Sequence, residues 1–283
     1  MLTTILSRSD VARHVNALHL LKELRTQLTA RAPRATSAGE TATVLECPDF
    51  PAWAVRTQRG ERTVLQLHDA ATGGVLAVME ASRLLTLRAS LVSALACDVL
   101  ARADARNVAV LGSGPAPIGA LMALRLVRSI EHVWLYEPDL AGNFARARAL
   151  ATSQHMAVHA ADSVKEAVAD ADVVLLYGDA PEEGLALRPG AHLSLPEALP
   201  SHRAPLAQPA SGFCDATAPL PGWRASFTPL SQVLTGARPG RNDTEALTCF
   251  AALGSPELDL VTAWHVFEGA RHDETLARVD LES

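Results

Sequence analysis

Apolar residues at Val11, Val15, Leu18, Leu21, Leu24 and Leu28 recur every three or four positions, the spacing that lines one face of a helix. Ser9 or Asp10 can cap its start and Pro33 ends it. From 41 to 79 the rhythm shortens to alternating, β-branched stretches around Val44, Val55, Val64 to Leu67 and Val75 to Val78, with a turn at Thr72-Gly73-Gly74. This predicts a small antiparallel sheet. Ser82 to Ala103 is apolar nearly all round and predicts a buried helix. From Asn107 strand and helix patterns alternate, the mark of a parallel sheet built from βαβ units. Strands are expected at Val108–Leu111, His132–Tyr136, Met156–His159, Asp172–Tyr177 and Ala191–Leu195. Between them lie helices at Ile118–Val127, Leu140–Thr152 and Ser163–Ala169. Beyond Pro196 the chain is proline-rich, and a last helix runs from about Ser255 to Arg271.

Hydrophobic residues make up 48 % and charged residues 20 % of the 283 positions, enough for a sizeable core. That length favours about two domains. A formal charge of −6 without a long Lys/Arg run offers no electrostatic footprint for nucleic acid or an anionic membrane. No apolar stretch is long enough for a span, and Met1 to Asp10 lacks a signal layout, so a cytoplasmic location is expected. Cys47, Cys97, Cys214 and Cys249 are too scattered for a zinc cage or a disulfide framework, and no histidine spacing sets two imidazoles beside a carboxylate. No metal is expected. Of the 25 basic residues only Lys22 and Lys165 are lysines, which leaves almost no candidates for lysine chemistry.

The first chemical signal is Val108-Ala109-Val110-Leu111-Gly112-Ser113-Gly114-Pro115-Ala116-Pro117, a glycine turn between a strand and a helix. Gly112 permits the tight turn and Gly114 lets backbone approach a pyrophosphate at the positive helix end near Ala116. The usual third glycine is Pro117, harmless in a first helical turn but without an N–H. Glu137, 25 positions after Gly112 at the end of the second strand, would accept hydrogen bonds from a ribose and repel a 2′-phosphate. NAD(H) is therefore the expected cofactor. The plainer alternative is a tight connection with Glu137 as a solvated charge. The second signal is Arg88, set among Leu87, Leu91 and Val92, whose guanidinium needs an anion: a substrate carboxylate, or an Asp or Glu of the protein itself. Arg34 and Arg56 are weaker candidates of the same kind.

The run Leu67 to Glu80, then Leu84 to Arg88, Leu100-Ala101-Arg102 and Val110 to Gly114, resembles the ornithine cyclodeaminase and mu-crystallin family, with a later echo in Ser231 to Arg241. The resemblance spans about Pro33 to Arg271 and is densest from 65 to 140. It implies an α/β fold: a central Rossmann-like parallel-sheet domain, 105–255, plus a smaller discontinuous α+β dimerisation and substrate domain, 1–104 with about 256–283. It also implies a homodimer that uses NAD(P)(H) to cyclodeaminate diamino acids, dehydrogenate amino acids or reduce cyclic imino acids. Arg88 falls on the family's carboxylate-binding arginine, and Arg34 and Arg56 where the family has an arginine and a lysine around the same carboxylate.

Departures are as informative. Ala89 replaces a threonine, Ala116 stands near an expected glutamine, and the loop between Arg56 and Val64 is shortened. The aspartate expected after the fifth strand is missing, leaving Glu197 or His202 as proton donor. Without that acid/base, ornithine cyclodeamination is disfavoured. The expectation is an NAD(H)-dependent oxidoreductase acting on a small amino- or imino-carboxylate, with Gly112, Ser113, Gly114, Ala116 and Glu137 on the cofactor. The alternative is an inactive relative that binds a nucleotide or a partner.

Overall fold

In the computed structural model, residues 2–30, 42–47, 49–60, 62–178, 184–196, 206, 210–215 and 227–281 are described. In chain order the first elements are β1 (Leu2–Leu6), α1 (Arg8–Arg13), α2 (Ala17–Ala30), β2 (Ala42–Leu45), β3 (Ala52–Arg59), β4 (Arg62–Asp69), β5 (Val75–Glu80) and α3 (Ser82–Leu100). Next come β6 (Asn107–Leu111), α4 (Pro115–Leu124), β7 (His132–Tyr136), α5 (Leu140–Gln154), β8 (Ala157–Ala160), α6 (Val164–Val168) and β9 (Val173–Leu176). The remainder is β10 (His192–Leu195), β11 (Ser211–Cys214), β12 (Thr228–Pro229), α7 (Leu230–Leu234), β13 (Thr248–Ala251), α8 (Pro256–Ala270) and β14 (Arg278–Asp280). The chain forms two units, Met1–Arg88 with Gly254–Ser283 and Ala89–Leu253, and the division falls inside α3.

The first unit carries a six-stranded sheet in the order β14-β1-β5-β4-β3-β2. Its alternation does what a half-buried sheet requires. Leu45, Ala54, Leu65, Leu67, Met79 and Leu6 point inward onto Leu84 of α3 and Leu260, Ala263 and Val266 of α8. The opposite face carries the cross-strand row Val44, Val55, Gln66, Val78 and Ile5. Trp264 on α8 packs edge-on to Phe50 and against Phe267, which places both α8 aromatics in packing.

The single helix expected over Val11 to Leu28 is two helices, because polar side chains intercept the backbone at the break. Ser7 accepts the Asp10 N–H while the Asp10 carboxylate accepts that of Ser7, a capping box that starts α1. The His14 ring donates to the Asp10 carbonyl at 2.9 Å, and Asn16 Oδ1 accepts the His19 N–H at 3.0 Å and opens α2. Strand β1, unforeseen from the sequence, pairs parallel with β5 and antiparallel with β14.

The second unit is an eight-stranded, all-parallel sheet in the order β12-β11-β13-β10-β9-β6-β7-β8. Buried on both faces, its strands are near-continuous apolar runs: Ala109, Leu111, Val174, Leu176 and Leu193 serve one core and Val108, Val110, Val133, Leu135 and Leu175 the other. The chain leaves β6 through β7 and β8 on one side, then returns to its other side with β9. That reversal opens a crevice at the carboxyl ends of the strands, where ligands of open α/β sheets bind. No helix among the described residues is long and apolar enough to cross a membrane.

Candidate functional site

The glycine turn lies at the reversal point of the parallel sheet. The Gly112 N–H donates to Tyr136 O at 2.9 Å and Tyr177 N–H to Leu111 O at 2.8 Å, pinning the turn between the ends of β7 and β9. A Cβ on Gly112, whose φ is +130°, would lie 2.7 Å from Tyr177 Cβ and 2.8 Å from Tyr177 O, so only glycine fits. Gly114, with φ +89°, faces open space and is the N-cap of α4, with no side chain capping the helix end. The helix starts at Pro115, earlier than expected, so N1 and N3 are both prolines. Of the four N–H positions that an α-helix leaves unpaired at its start, Gly114 and Ala116 are those that still carry a donor.

Glu137 follows β7 and is 4 % exposed. Its Oε2 accepts from Arg146 of α5 at 2.9 Å, while Oε1 is buried with no partner among the described residues. A buried carboxylate oxygen without a donor is costly unless a ligand supplies one. The open glycine, the start of α4 and this oxygen have the chemistry that an adenine dinucleotide would require. Asn143 of α5, overlooked in the sequence, steadies the same edge by donating to Leu135 O at 2.9 Å and Ala161 O at 3.1 Å.

In the first unit Arg56 of β3 and Arg88 of α3 meet on one carboxylate. Arg88 Nε donates to Asp259 Oδ1 at 3.0 Å and Arg56 NH1 to Asp259 Oδ2 at 2.6 Å. Asp259 is wholly buried in the first turn of α8, and Arg88 is 6 % exposed. The anion that Arg88 demands is therefore, at least in part, the protein's own. Arg56 stands within β3, paired with Leu65 of β4, three positions before the strand ends at Arg59. Arg34, Glu197 and His202 lie outside the described residues.

Other reactive groups are silenced by their surroundings. Burial pushes the Cys97 thiol up to about 12 and raises Cys249 as well, so neither is a ready nucleophile. Burial, helped by the charges of Arg241 and Arg128, lowers His192 to about 3 and keeps it neutral. The fold does set two imidazoles beside a carboxylate, contrary to what local spacing offers: His265 of α8 comes to His19 and Glu23 of α2. His265 Nδ1 donates to Glu23 Oε2 at 2.7 Å, and its Nε2 accepts the Asn16 N–H at 3.2 Å. A metal-bound imidazole uses its second nitrogen as a donor; here that nitrogen faces a donor, so the trio is a hydrogen-bond network tying α2 to α8.

Comparison with known proteins bears on the fold and the family. The model of the ornithine cyclodeaminase/mu-crystallin family matches residues 38–207. A Delta(1)-pyrroline-2-carboxylate reductase of Bacillus thuringiensis subsp. konkukian (strain 97-27) is 26 % identical over 242 residues, 75 % of this chain and 73 % of that protein. Among solved structures, the Thermococcus litoralis Delta(1)-pyrroline-2-carboxylate reductase in complex with NADH and L-proline superposes with a TM-score of 0.77 at 17 % identity, covering 98 % of this chain and 100 % of that one. The iminosuccinate reductase of Paracoccus denitrificans in complex with NAD+ gives 0.77 at 17 % identity, covering 99 % and 100 %. With the family match spanning more than half of its length, the chain belongs to the ornithine cyclodeaminase/mu-crystallin family.

Proposed function

We propose that this chain is an NAD(H)-dependent oxidoreductase that interconverts a small imino-carboxylate and the corresponding amino acid. The observation that carries the reading is the buried Glu137 Oε1, without a partner among the described residues, beside a glycine turn with open space at Gly114. The relatives named as pyrroline-2-carboxylate and iminosuccinate reductases support the substrate class. Bound nicotinamide supplies a hydride for reduction and accepts it in the reverse direction. The chain's own part is to hold and orient. Arg88 and Arg56 bind the substrate carboxylate and fix the neighbouring carbon, so a bimolecular encounter becomes a positioned one. Glu137 holds the ribose, and the Gly114 and Ala116 amides receive the diphosphate. An iminium substrate already carries the nitrogen-bound proton; hydride adds to its carbon and the C=N π pair becomes the lone pair of the amine. Glu197 or His202 would be needed as a proton carrier only if the neutral imine were the form reduced.

Calorimetric titration with NADH and NADPH, followed by NADH oxidation with Δ1-pyrroline-2-carboxylate and iminosuccinate, tests this. NADH binding and turnover of an imino-carboxylate are expected. Failure to bind either nucleotide overturns the reading, and binding without turnover of any imine points to the inactive, nucleotide-binding relative. The homodimer is proposed to form through the outer sheet face bearing Val44, Val55, Val78 and Ile5, a β-branched row of which Ile5 is exposed and the others half-buried. Light scattering should report a dimer that Val55→Glu converts to monomer.

A further inference from the structure

His132 opens β7 and His159 lies on β8, the strand that ends the parallel sheet on that side. The register sets His159 beside Trp134, on the face that His132 shares two positions earlier in β7. The glycine turn and Glu137 lie at the other end of β7, so this face has no part in the proposed reaction. His132 Nδ1 and His159 Nε2 come within 3.4 Å of each other. We propose that these two nitrogens chelate a divalent transition metal of the kind that favours imidazole (zinc, nickel or copper), with water completing its shell.

A separation of 3.4 Å is long for a hydrogen bond from a ring N–H, whose heavy atoms ordinarily stand about 2.7–3.2 Å apart. It is the span of two ligands on one tetrahedral ion: metal–nitrogen bonds of about 2.0–2.1 Å put the two nitrogens about 3.3–3.4 Å apart. Neighbouring rings restrict both imidazoles before an ion arrives. Trp134 stacks on His159 with centroids 5.2 Å apart and planes 27° apart, and it meets the His132 ring at 5.7 Å. Less rotamer freedom is then left to freeze on binding. Both histidines are exposed, so the second nitrogen of each can donate to water, as a metal-bound imidazole requires. Here the pair departs from His19, Glu23 and His265, where His265 spends one nitrogen on Glu23 and the other on the Asn16 N–H. β8 pairs with β7 alone, so an ion held by His132 and His159 clips this edge strand to the sheet. Because it binds only the assembled pair of strands, it stabilises the folded state.

The test is calorimetric titration of the untagged protein with Zn2+, beside His132→Gln, His159→Gln and, as a control, His272→Gln at an exposed histidine outside the pair. The wild type and the control should bind with the same affinity, and His132→Gln and His159→Gln should each weaken binding at least tenfold. Equal binding by all four proteins means an adventitious ion only and overturns the proposal, as does a wild type that binds no Zn2+. Saturating Zn2+ should also raise the Tm of the wild type and leave that of His159→Gln where it is; an equal rise in both overturns the clip. Should either variant fail to fold, wild-type protein labelled with 15N-histidine answers without a substitution. One equivalent of Zn2+ should shift His132 Nδ1 and His159 Nε2 and leave the ring nitrogens of His19 and His265 in place. Shifts centred on His19 and His265, or spread over all the histidines, overturn the proposal. None of these readouts involves turnover, so failure here and failure of the oxidoreductase reading are seen separately.

Discussion

His192 lies at the start of β10, wholly buried, with Nδ1 donating to Thr248 Oγ1 at 2.8 Å and Nε2 without a partner among the described residues. Burial first, then the positive charges of Arg241 and Arg128, bring its pKa from the ordinary 6.5 to about 3. In the unfolded chain the ring takes up a proton as pH falls through 6.5, while the folded ring stays neutral. The unfolded state thus binds more protons, and stability rises with pH across this window. The contribution is fully present above pH 6.5 and is lost progressively as pH falls toward 3. At about tenfold in the folding equilibrium per pH unit, about 3 kcal/mol is gone by pH 4.5, a large share of a typical domain's 5–15 kcal/mol. Native-state hydrogen exchange of the β10 amides at pH 7.5, 5.5 and 4.5 reads the opening free energy of this sheet directly. His192→Asn retains a side-chain N–H for Thr248 and removes the titration. The wild type should lose about 3 kcal/mol more than the variant between pH 7.5 and 4.5. Parallel losses in the two proteins would refute the reasoning.

Glu137→Ala removes a charged acceptor for a ribose hydroxyl, worth about 1.5–3 kcal/mol, so the Kd for NADH by calorimetry should rise roughly tenfold to a hundredfold. Gly112→Ala forces a Cβ against the backbone oxygen of Tyr177, a contact that no rotamer change relieves; it should cost about 1–3 kcal/mol from overpacking beyond the backbone strain and lower Tm. Gly114→Ala, which meets no atom within 4 Å, should show the strain alone. Asp273 is held down to about 2 by the Thr275 hydroxyl and N–H and by His14. That stability is present above pH 3.8 and lost as pH falls toward 2, so Thr275→Ala, which removes the hydroxyl and keeps the N–H, should lower stability by a constant amount above pH 4.5 and flatten the loss between pH 3.8 and 2.

The parallel sheet and its glycine turn were legible because their signals are local. The strand, glycine turn and acid lie within one βαβ stretch, and apolar runs such as Val173–Leu176 need no partner to be read as strands. Glu137 was singled out by its distance from Gly112, and its burial could not be read from the sequence. What escaped depends on contacts remote in the chain. Asp259 meets Arg88 and Arg56 across 171 and 203 positions, so nothing near Asp259 marks it. His265 reaches Glu23 across 242 positions, and three-residue β14 is a strand because β1 borders it. The break between α1 and α2 escaped for a different reason: the apolar spacing continues through it, and hydrogen bonds from His14 and Asn16 decide the matter.

The two arginines also constrain the direction of chemistry that this chain serves. A guanidinium stays charged at any working pH, so neither Arg56 nor Arg88 can give or take a proton. The lysines, Lys22 and Lys165, lie on α2 and α6, away from both candidate sites in sequence. Removing an amine from a diamino acid needs a base poised at nitrogen, whereas reducing an iminium needs orientation and a hydride, because the substrate brings its own proton. If reduction is the reaction, the acid that sets its pH dependence is the substrate. The value of kcat/KM should then fall about tenfold per pH unit above the pKa of the imine's conjugate acid, and the break should move when a less basic imine is used. His202→Gln and Glu197→Gln should leave the break where it is. A break that moves with either variant and ignores the substrate would place the proton on the protein and return general-acid catalysis to that residue.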